Sequence, residues 1–524
     1  MSAATYEELR RSFRWELPPV LNLGVEACER QPRNDPAILV TDGRAVTRTV
    51  SFGELADDSS RLANALRGLG VGTGDRVGIV LPQRPETAVA HLAAAKLGAI
   101  AVPLSVLFGP DALDMRLRDA DVRVVLGEGE PLRRIAELGL DVPLLDVDRD
   151  LERLLANASP VFEPVATTPD TPALLVYTSG TTGPPKGALH GHRVLPGHLP
   201  GFELSHDHFP RAGDVIWTPA DWAWIGGLYD VLVPALRHGR PVVAYSGGKF
   251  DPERAFDLLG RLGVRNVFMP ATALRLMRSH DPGTPVSLRT VASGGETVGV
   301  ETAAWCRERL GARLNEFYGQ TEANLLVGNC CAWEARPGSM GLPYPGHDVR
   351  VVDGEVCVRV DGDPVAFLGY WRNAEATAGK VRDGWLHTGD QAEQDEDGYL
   401  TFVGRDDDVI SSGGYRIGPG PIEECLIRHP AVALAAVIGS PDEERGEVVK
   451  AYVVAAPGVT VTDDLTRELQ SFVRERLSAY EYPRAVSFVD ELPTTVTGKI
   501  RRGELRRLDS RAEPGRREAD RELR

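Results

Sequence analysis

Thr178, Ser179, Thr181 and Thr182 place four hydroxyls in a short stretch, YTSGTTGPPKG, that runs from Tyr177 to Gly187 and carries Gly180, Gly183 and Lys186. Hydroxyls and bare glycine backbone are donors for phosphate oxygens, and the ammonium adds a compact charge on a flexible stem. The pattern is not the G-x-x-x-x-G-K-[ST] phosphate loop. Pro184 and Pro185 lack N–H groups and bias the residues before them to extended shapes, so no helix starts directly on the phosphates. The expected object is a loop hanging from a strand end that closes over a polyphosphate. Taken alone, a Ser/Thr/Gly surface turn would read the same way. Rarity adds weight to the lysine: Lys96, Lys186, Lys249, Lys380, Lys450 and Lys499 are the only six among 59 basic residues.

Two other groupings invite a chemical reading and do not sustain one. Five of the eleven histidines, His190, His192, His198, His206 and His208, crowd one segment. No cysteine or carboxylate cluster completes a metal sphere there, so they are expected to be surface histidines. Cys330 and Cys331 are adjacent without partner ligands nearby and are expected to be inert.

The frame around these residues is that of a globular protein. The chain has 524 residues, 42% hydrophobic and 26% charged, enough for two or three domains. A formal charge of −16 argues against nucleic acid as a partner. No apolar run is long enough to cross a bilayer, the N-terminus has no apolar signal region, and six scattered cysteines fit a reducing compartment. The expectation is a cytoplasmic protein with no membrane partner.

From Asp75 the apolar pattern alternates. RVGIVL, AIAVPL and VRVVLGE read as strands, separated by ETAVAHLAAAKLG and PDALDMRLRDAD as helices. GRPVVAYSGG, VRNVFMP and LRTVASGGE continue as strands around the helical DPERAFDLLGRLG. Such alternation implies parallel sheets covered by helices. Past Leu342 short strands and turns take over, a small β-barrel-like part. PIEECLIRHP and LTRELQSFVRERL then read as helices around the strands VALAAVIGS and VVKAYVVAA. The fold class is therefore α/β, with a large N-terminal domain at 1–405 and a smaller, mobile α+β domain at 406–524. The charged tail after Ile500 is expected to be solvated or frayed.

Further motifs stand downstream of the loop in a fixed order: SGGET (Ser293 to Thr297), EFYGQTE (Glu316 to Glu322), WLHTGD ending in Asp390, GRDDDVISSGGYRIGP, and PTTVTGKI with Lys499. Together with the loop, this series resembles the adenylate-forming superfamily of acyl-CoA synthetases, luciferases and peptide-synthetase adenylation domains, nearest to the medium-chain acyl-CoA synthetases. The resemblance implies ATP, Mg²⁺ and CoA as cofactors. It implies that Gly295, Glu296, Thr297, Glu316, Phe317, Tyr318, Gly319 and Gln320 form the adenine pocket. Thr321 would bond the α-phosphate, Glu322 would hold Mg²⁺, Asp390 and Arg405 would grip the ribose, and Arg416 would meet phosphate. Lys499 would sit between carboxylate and α-phosphate. Attack of a carboxylate on ATP brings two anions together, which is what such cations and donors offset.

The same resemblance implies a second step. The C-terminal domain would swing at Asp407, withdrawing Lys499 and presenting Gly413, Gly414 and Tyr415 to CoA. Arg445 and Arg474 match positions that bind CoA phosphates, though either could equally be a solvent-exposed arginine. Ser411, Gly413 and Pro421 depart from the usual residues of that loop. For the acid, Gly319 replaces the tryptophan that blocks the acyl tunnel of acetate-specific relatives, while Trp222 and Trp224 fall where the family lines that tunnel. They either shorten the pocket or belong to the core. Asp221 falls near the amine-binding aspartate of amino-acid adenylation domains, without supporting neighbours. The expected activity is AMP-forming ligation of a short- to medium-chain, branched or aromatic acid to CoA. A carrier protein or an amine as acceptor, or a non-catalytic adenylate binder, are the alternatives. A homodimer is left open.

Overall fold

The structure is a computed structural model, and it describes residues 5–178, 185–336, 338–405, 408–412, 415–442, 445–477, 482–495 and 499–510. Two compact units divide the chain. The first runs from the N-terminus to Val349 and takes in Val358–Leu386. The second contains Arg350–Cys357 and the residues from His387 onward.

The first unit is built on two sheets. In the seven-stranded sheet the order is Gly369–Tyr370, Gly187–Gly191, Pro172–Tyr177, Ile100–Pro103, Arg76–Val80, Val124–Gly127 and Leu144–Asp146. The strands from Ile100 to Leu144 pair in parallel, as the alternating pattern requires. Helix Pro85–Lys96 supplies one crossover and is buried on nearly every face, which suits its alanine-rich sequence. Lys96, at its end, is fully buried, and its ammonium lies 2.7 Å from Glu29 and 3.0 Å from Ser60 Oγ. In the nine-stranded sheet, Asn266–Phe268, Thr290–Gly294 and Leu314–Gln320 run parallel, and Ala323–Gly328 folds back antiparallel on the last. Trp217, Phe256, Val267 and Leu274 anchor the apolar cluster beside it.

In the second unit, Val432–Asp442 and Gly446–Ala455 form a long hairpin flanked by Ala485–Phe488 and Ile410–Ser412. Helices Pro419–Ile427 and Asp463–Arg476 pack on it through Ile422, Leu426, Leu469 and Val473. The described part of the tail departs from the expectation of a solvated end: 502–510 is helical, with Leu505 and Asp509 buried, while 511–524 lie outside the described residues. Its charges turn inward because carboxyl groups and a lysine wait there. Asp509 takes Ser440 Oγ at 2.6 Å and pairs with Lys450, while Arg502 meets Glu423 and Asp408. Among the described residues, no helix is long and apolar enough to cross a membrane.

Candidate active site

The hydroxyl-rich stretch joins two antiparallel strands, Pro172–Tyr177 and Gly187–Gly191. Thr178 N donates to Lys186 O at 2.9 Å, so the loop's two ends are pinned together as a hairpin. Ser179, Gly180, Thr181, Thr182 and Gly183 lie outside the described residues. Strand Gly369–Tyr370 pairs with the outgoing strand, Tyr370 opposite Ala188, and Trp371 N donates to Gly187 O. That register brings the Tyr370 ring under the Lys186 ammonium, 5.4 Å from its centroid, a cation–π distance. The hydroxyl of the same ring donates to Glu322 Oε1 at 2.5 Å. One aromatic side chain thus links the loop's lysine to the expected metal-binding carboxylate. The sequence reasoning missed Tyr370, since nothing in its local pattern signals a two-residue strand pairing.

Glu322 stands in the tight turn between Leu314–Gln320 and Ala323–Gly328 and is buried. Its carbonyl accepts from Phe367 N at 2.8 Å, and the Thr321 carbonyl accepts from His190 Nε2 at 2.8 Å. A buried carboxylate suits Mg²⁺, a hard ion that takes one or two carboxylates and completes its shell with phosphate oxygens and water. On the neighbouring strand, Ser293 is in register with Glu316 and Gly294 with Phe317, so the two expected adenine segments lie side by side. A β-carbon on Gly294 would stand 2.5 Å from the Phe317 ring, and Gly295 adopts φ +85°. Arg275 holds the segment, donating to Thr297 O at 2.6 Å with Glu296 3.5 Å away. Tyr318 is buried, while Gln320 and Glu316 are half-buried.

The histidines require a correction. His190, His192, His198 and His206 are all buried, and only His208 is exposed. Helix Val194–Ser205 is mostly apolar and buried, which takes His198 and the capping His206 into the interior, while His190 and His192 enter it on and just after strand Gly187–Gly191. Burial lowers His190 and His192 to about 4 and His198 and His206 to about 3, so all four are neutral. Each has one partnered ring nitrogen: Thr321 O, Leu23 N, Val194 O and Thr290 Oγ1. They are supports, and His190 supports Thr321 directly. Cys330 is buried, its thiol pushed up to about 12 by desolvation, in keeping with inert packing.

Around the expected acyl pocket, Trp222 is fully buried and Trp224 half-buried, edge-on to Phe108 at 5.7 Å. A β-carbon on Gly319 would meet Asn324 Oδ1 at 2.5 Å and Leu325 N at 2.6 Å, so the close turn itself demands glycine there. Asp221 is occupied locally, accepting from Ser105 Oγ at 2.8 Å and Ala223 N at 3.0 Å.

In the second unit, Asp390 and Arg405 stand opposite each other on paired strands, 3.9 Å apart, Asp390 buried. Lys499 is exposed, at the end of a turn closed by Thr495 N to Lys499 O and Lys499 N to Thr495 Oγ1. Three residues on, Arg502 bonds both oxygens of Glu423 and reaches Asp408 at 3.3 Å, and Arg506 holds the other Asp408 oxygen at 2.6 Å. Arg445 is exposed, and Arg474 lies over the Tyr482 ring at 5.5 Å. Asp407, Gly413 and Gly414 lie outside the described residues, as do the side chains of Tyr415 and Arg416.

Comparison with known proteins gives this arrangement its relatives. Residues 25–371 match the family model described as AMP-binding enzyme, and 421–499 the one described as AMP-binding enzyme C-terminal domain. The human mitochondrial acyl-coenzyme A synthetase ACSM4 is 33% identical, across 97% of this chain and 93% of that protein. A Brucella canis acyl-CoA synthetase structure is 33% identical with TM-score 0.73, covering 97% of this chain and 99% of its own. The anthranilate CoA ligase AuaEII, solved with anthranoyl-AMP, is 28% identical with TM-score 0.85, covering 94% and 98%.

Proposed function

Because the chain belongs to the AMP-binding enzyme family, we propose that it is an AMP-forming acid–CoA ligase whose substrate is a short- to medium-chain, branched or aromatic carboxylic acid. The acid's carboxylate attacks the α-phosphorus of ATP, pyrophosphate leaves, and the thiol of CoA then displaces AMP from the acyl-adenylate. The observation that carries this reading is the Lys186–Tyr370–Glu322 row, which sets an ammonium over the ring and a buried carboxylate at the hydroxyl of one phenol. An anionic polyphosphate with its counter-cation needs such a pairing. Mg²⁺ held by Glu322 would neutralise charge on the phosphates.

In this reading Thr321, fixed by His190, bonds the α-phosphate, and the hydroxyl loop closes over the β- and γ-phosphates. Asp390 and Arg405 hold the ribose, and Arg416 meets phosphate. Trp222, Trp224 and Gly319 border the acyl pocket. Lys499 serves adenylation alone, and Gly413, Gly414 and Tyr415 with Arg445 and Arg474 receive CoA after a turn at Asp407 of the domain 406–524. The names of the relatives, acyl-coenzyme A synthetase and anthranilate CoA ligase, support CoA as the acceptor. The test is AMP release with acetate to decanoate, isobutyrate and benzoate, with and without CoA. CoA-dependent AMP with one optimum is the expected result, and pyrophosphate release that CoA leaves unchanged would move the acceptor elsewhere.

A further inference from the structure

Asp230 is a carboxyl group that the mechanism above does not use, in a place where a carboxyl is hard to keep. It lies in the turn of helix Leu228–Leu232 and is 3% exposed. Its Oδ1 takes one hydrogen bond, from Asn324 Nδ2 at 2.5 Å. Among the described residues Oδ2 takes none, and no arginine or lysine pairs with the group. Desolvation holds its pKa well above the ordinary carboxylate range. A buried carboxyl with a single neutral partner is costly; the buried Glu423 and Asp214, by contrast, each face an arginine.

The surroundings show where the second oxygen points. A β-carbon on Gly226 would lie 3.6 Å from Asp230 Oδ2 and 3.1 Å from the Phe268 ring. A side chain there would crowd the ring, so the bare backbone of Gly226 passes close to both the aromatic edge and Oδ2. Phe268 in turn stacks on Phe317, ring centroids 5.4 Å apart, in the adenine segment. Asn324, the partner of Asp230, fills the space in front of Gly319. Gly226 follows Trp224 by two residues, so Asp230 and Asn324 link the Trp224 segment to the Gly319 turn, the two segments proposed to border the acyl site.

Resting on the ligase reading, we infer that Asp230 and Asn324 are the specificity-determining end of that acyl site, and that the acid's tail carries a hydrogen-bond donor, a hydroxyl or an amine, received by Asp230 Oδ2. A hydrocarbon tail of the same size would leave this buried oxygen without a partner, and sites built to bond a polar group discriminate strongly against analogues that lack it.

The experiment compares kcat/KM for CoA-dependent AMP formation within matched sets: butanoate, 4-hydroxybutanoate and 4-aminobutanoate, and benzoate with its 3-hydroxy and 3-amino forms. A donor-bearing acid is expected to exceed its plain counterpart at least tenfold, as a modest bound for this kind of discrimination. Asp230→Leu should erase or invert that ratio. The isosteric Asp230→Asn separates the two donors and guards against misfolding: it should retain a preference for hydroxyl and lose one for amine. Plain acids equal or preferred in the unaltered enzyme would overturn this inference and leave the ligase standing. AMP from none of the acids would overturn the ligase and this inference with it.

Discussion

The buried histidines make stability in mild acid a sharp consequence of the fold. His190, His192, His198 and His206 are neutral in the folded first unit, with pKa values near 4, 4, 3 and 3 against 6.5 when unfolded. Their folded values are depressed, so between pH 6.5 and about 4 the unfolded chain binds more protons. Stability is then complete above pH 6.5 and falls as the pH drops. Each histidine contributes up to about 1.4 kcal/mol per pH unit in that window, and these four with His91, likewise buried and lowered to about 4, together contribute up to about 7 kcal/mol per unit. Asp230 and Asp221 are shifted upward and offset part of this, because protonation favours their folded state. Against a typical domain stability of about 5–15 kcal/mol, the first unit should lose its structure near pH 5. Urea midpoints followed by tryptophan fluorescence from pH 7.5 to 5 would read the slope. His198→Asn should lower it by about one proton. A midpoint that stays flat from pH 6.5 to 5 would refute the burial of these rings.

Tyr370→Phe keeps the ring beneath Lys186 and removes its bond to Glu322; hydrogen bonds to charged groups contribute about 1.5–3 kcal/mol. Adenylation should slow by roughly tenfold or more with a higher Mg²⁺ requirement, read by pyrophosphate release against Mg²⁺ concentration. An unchanged Mg²⁺ profile would remove Tyr370 from the site. Lys499→Ala should abolish adenylate formation yet spare thioester formation from supplied acyl-adenylate, and equal loss of both would contradict a lysine that serves one half only. Arg502→Met leaves Glu423 buried without its cation, while Asp408 keeps Arg506, and should destabilise the second unit by about 3–5 kcal/mol, seen as a lower unfolding midpoint for that unit.

The parallel strands were legible because apolar runs bounded by glycine, proline and charge have few other solutions, and the observed strands at Arg76–Val80, Val124–Gly127 and Thr290–Gly294 fall inside the expected runs. The prolines of the hydroxyl loop argued against a helix starting directly on it, and the strand Gly187–Gly191 follows. What stayed hidden depends on long-range partners. Histidine counts as polar in a sequence pattern, yet a neutral ring with one hydrogen bond sits well in an apolar interior. Rarity misled in the same way for lysine: Lys96 is buried against Glu29 and Lys450 pairs with Asp509, so two of the six serve the fold. The charged tail looked solvated because its partners, Asp408 and Glu423, stand some 80 to 100 residues earlier. Tyr370 and Asp230 came from strand register and from the interior of a helix, neither of which local spacing encodes.

In the proposed reaction the acid's own oxygen attacks the α-phosphorus of ATP and departs with AMP. The direct measurement uses an acid labelled with ¹⁸O in its carboxylate, followed by mass spectrometry of the products after CoA-dependent turnover. The account predicts one labelled oxygen in AMP and none in pyrophosphate. Unlabelled AMP, or label in a released phosphate with ADP as the nucleotide product, would contradict it.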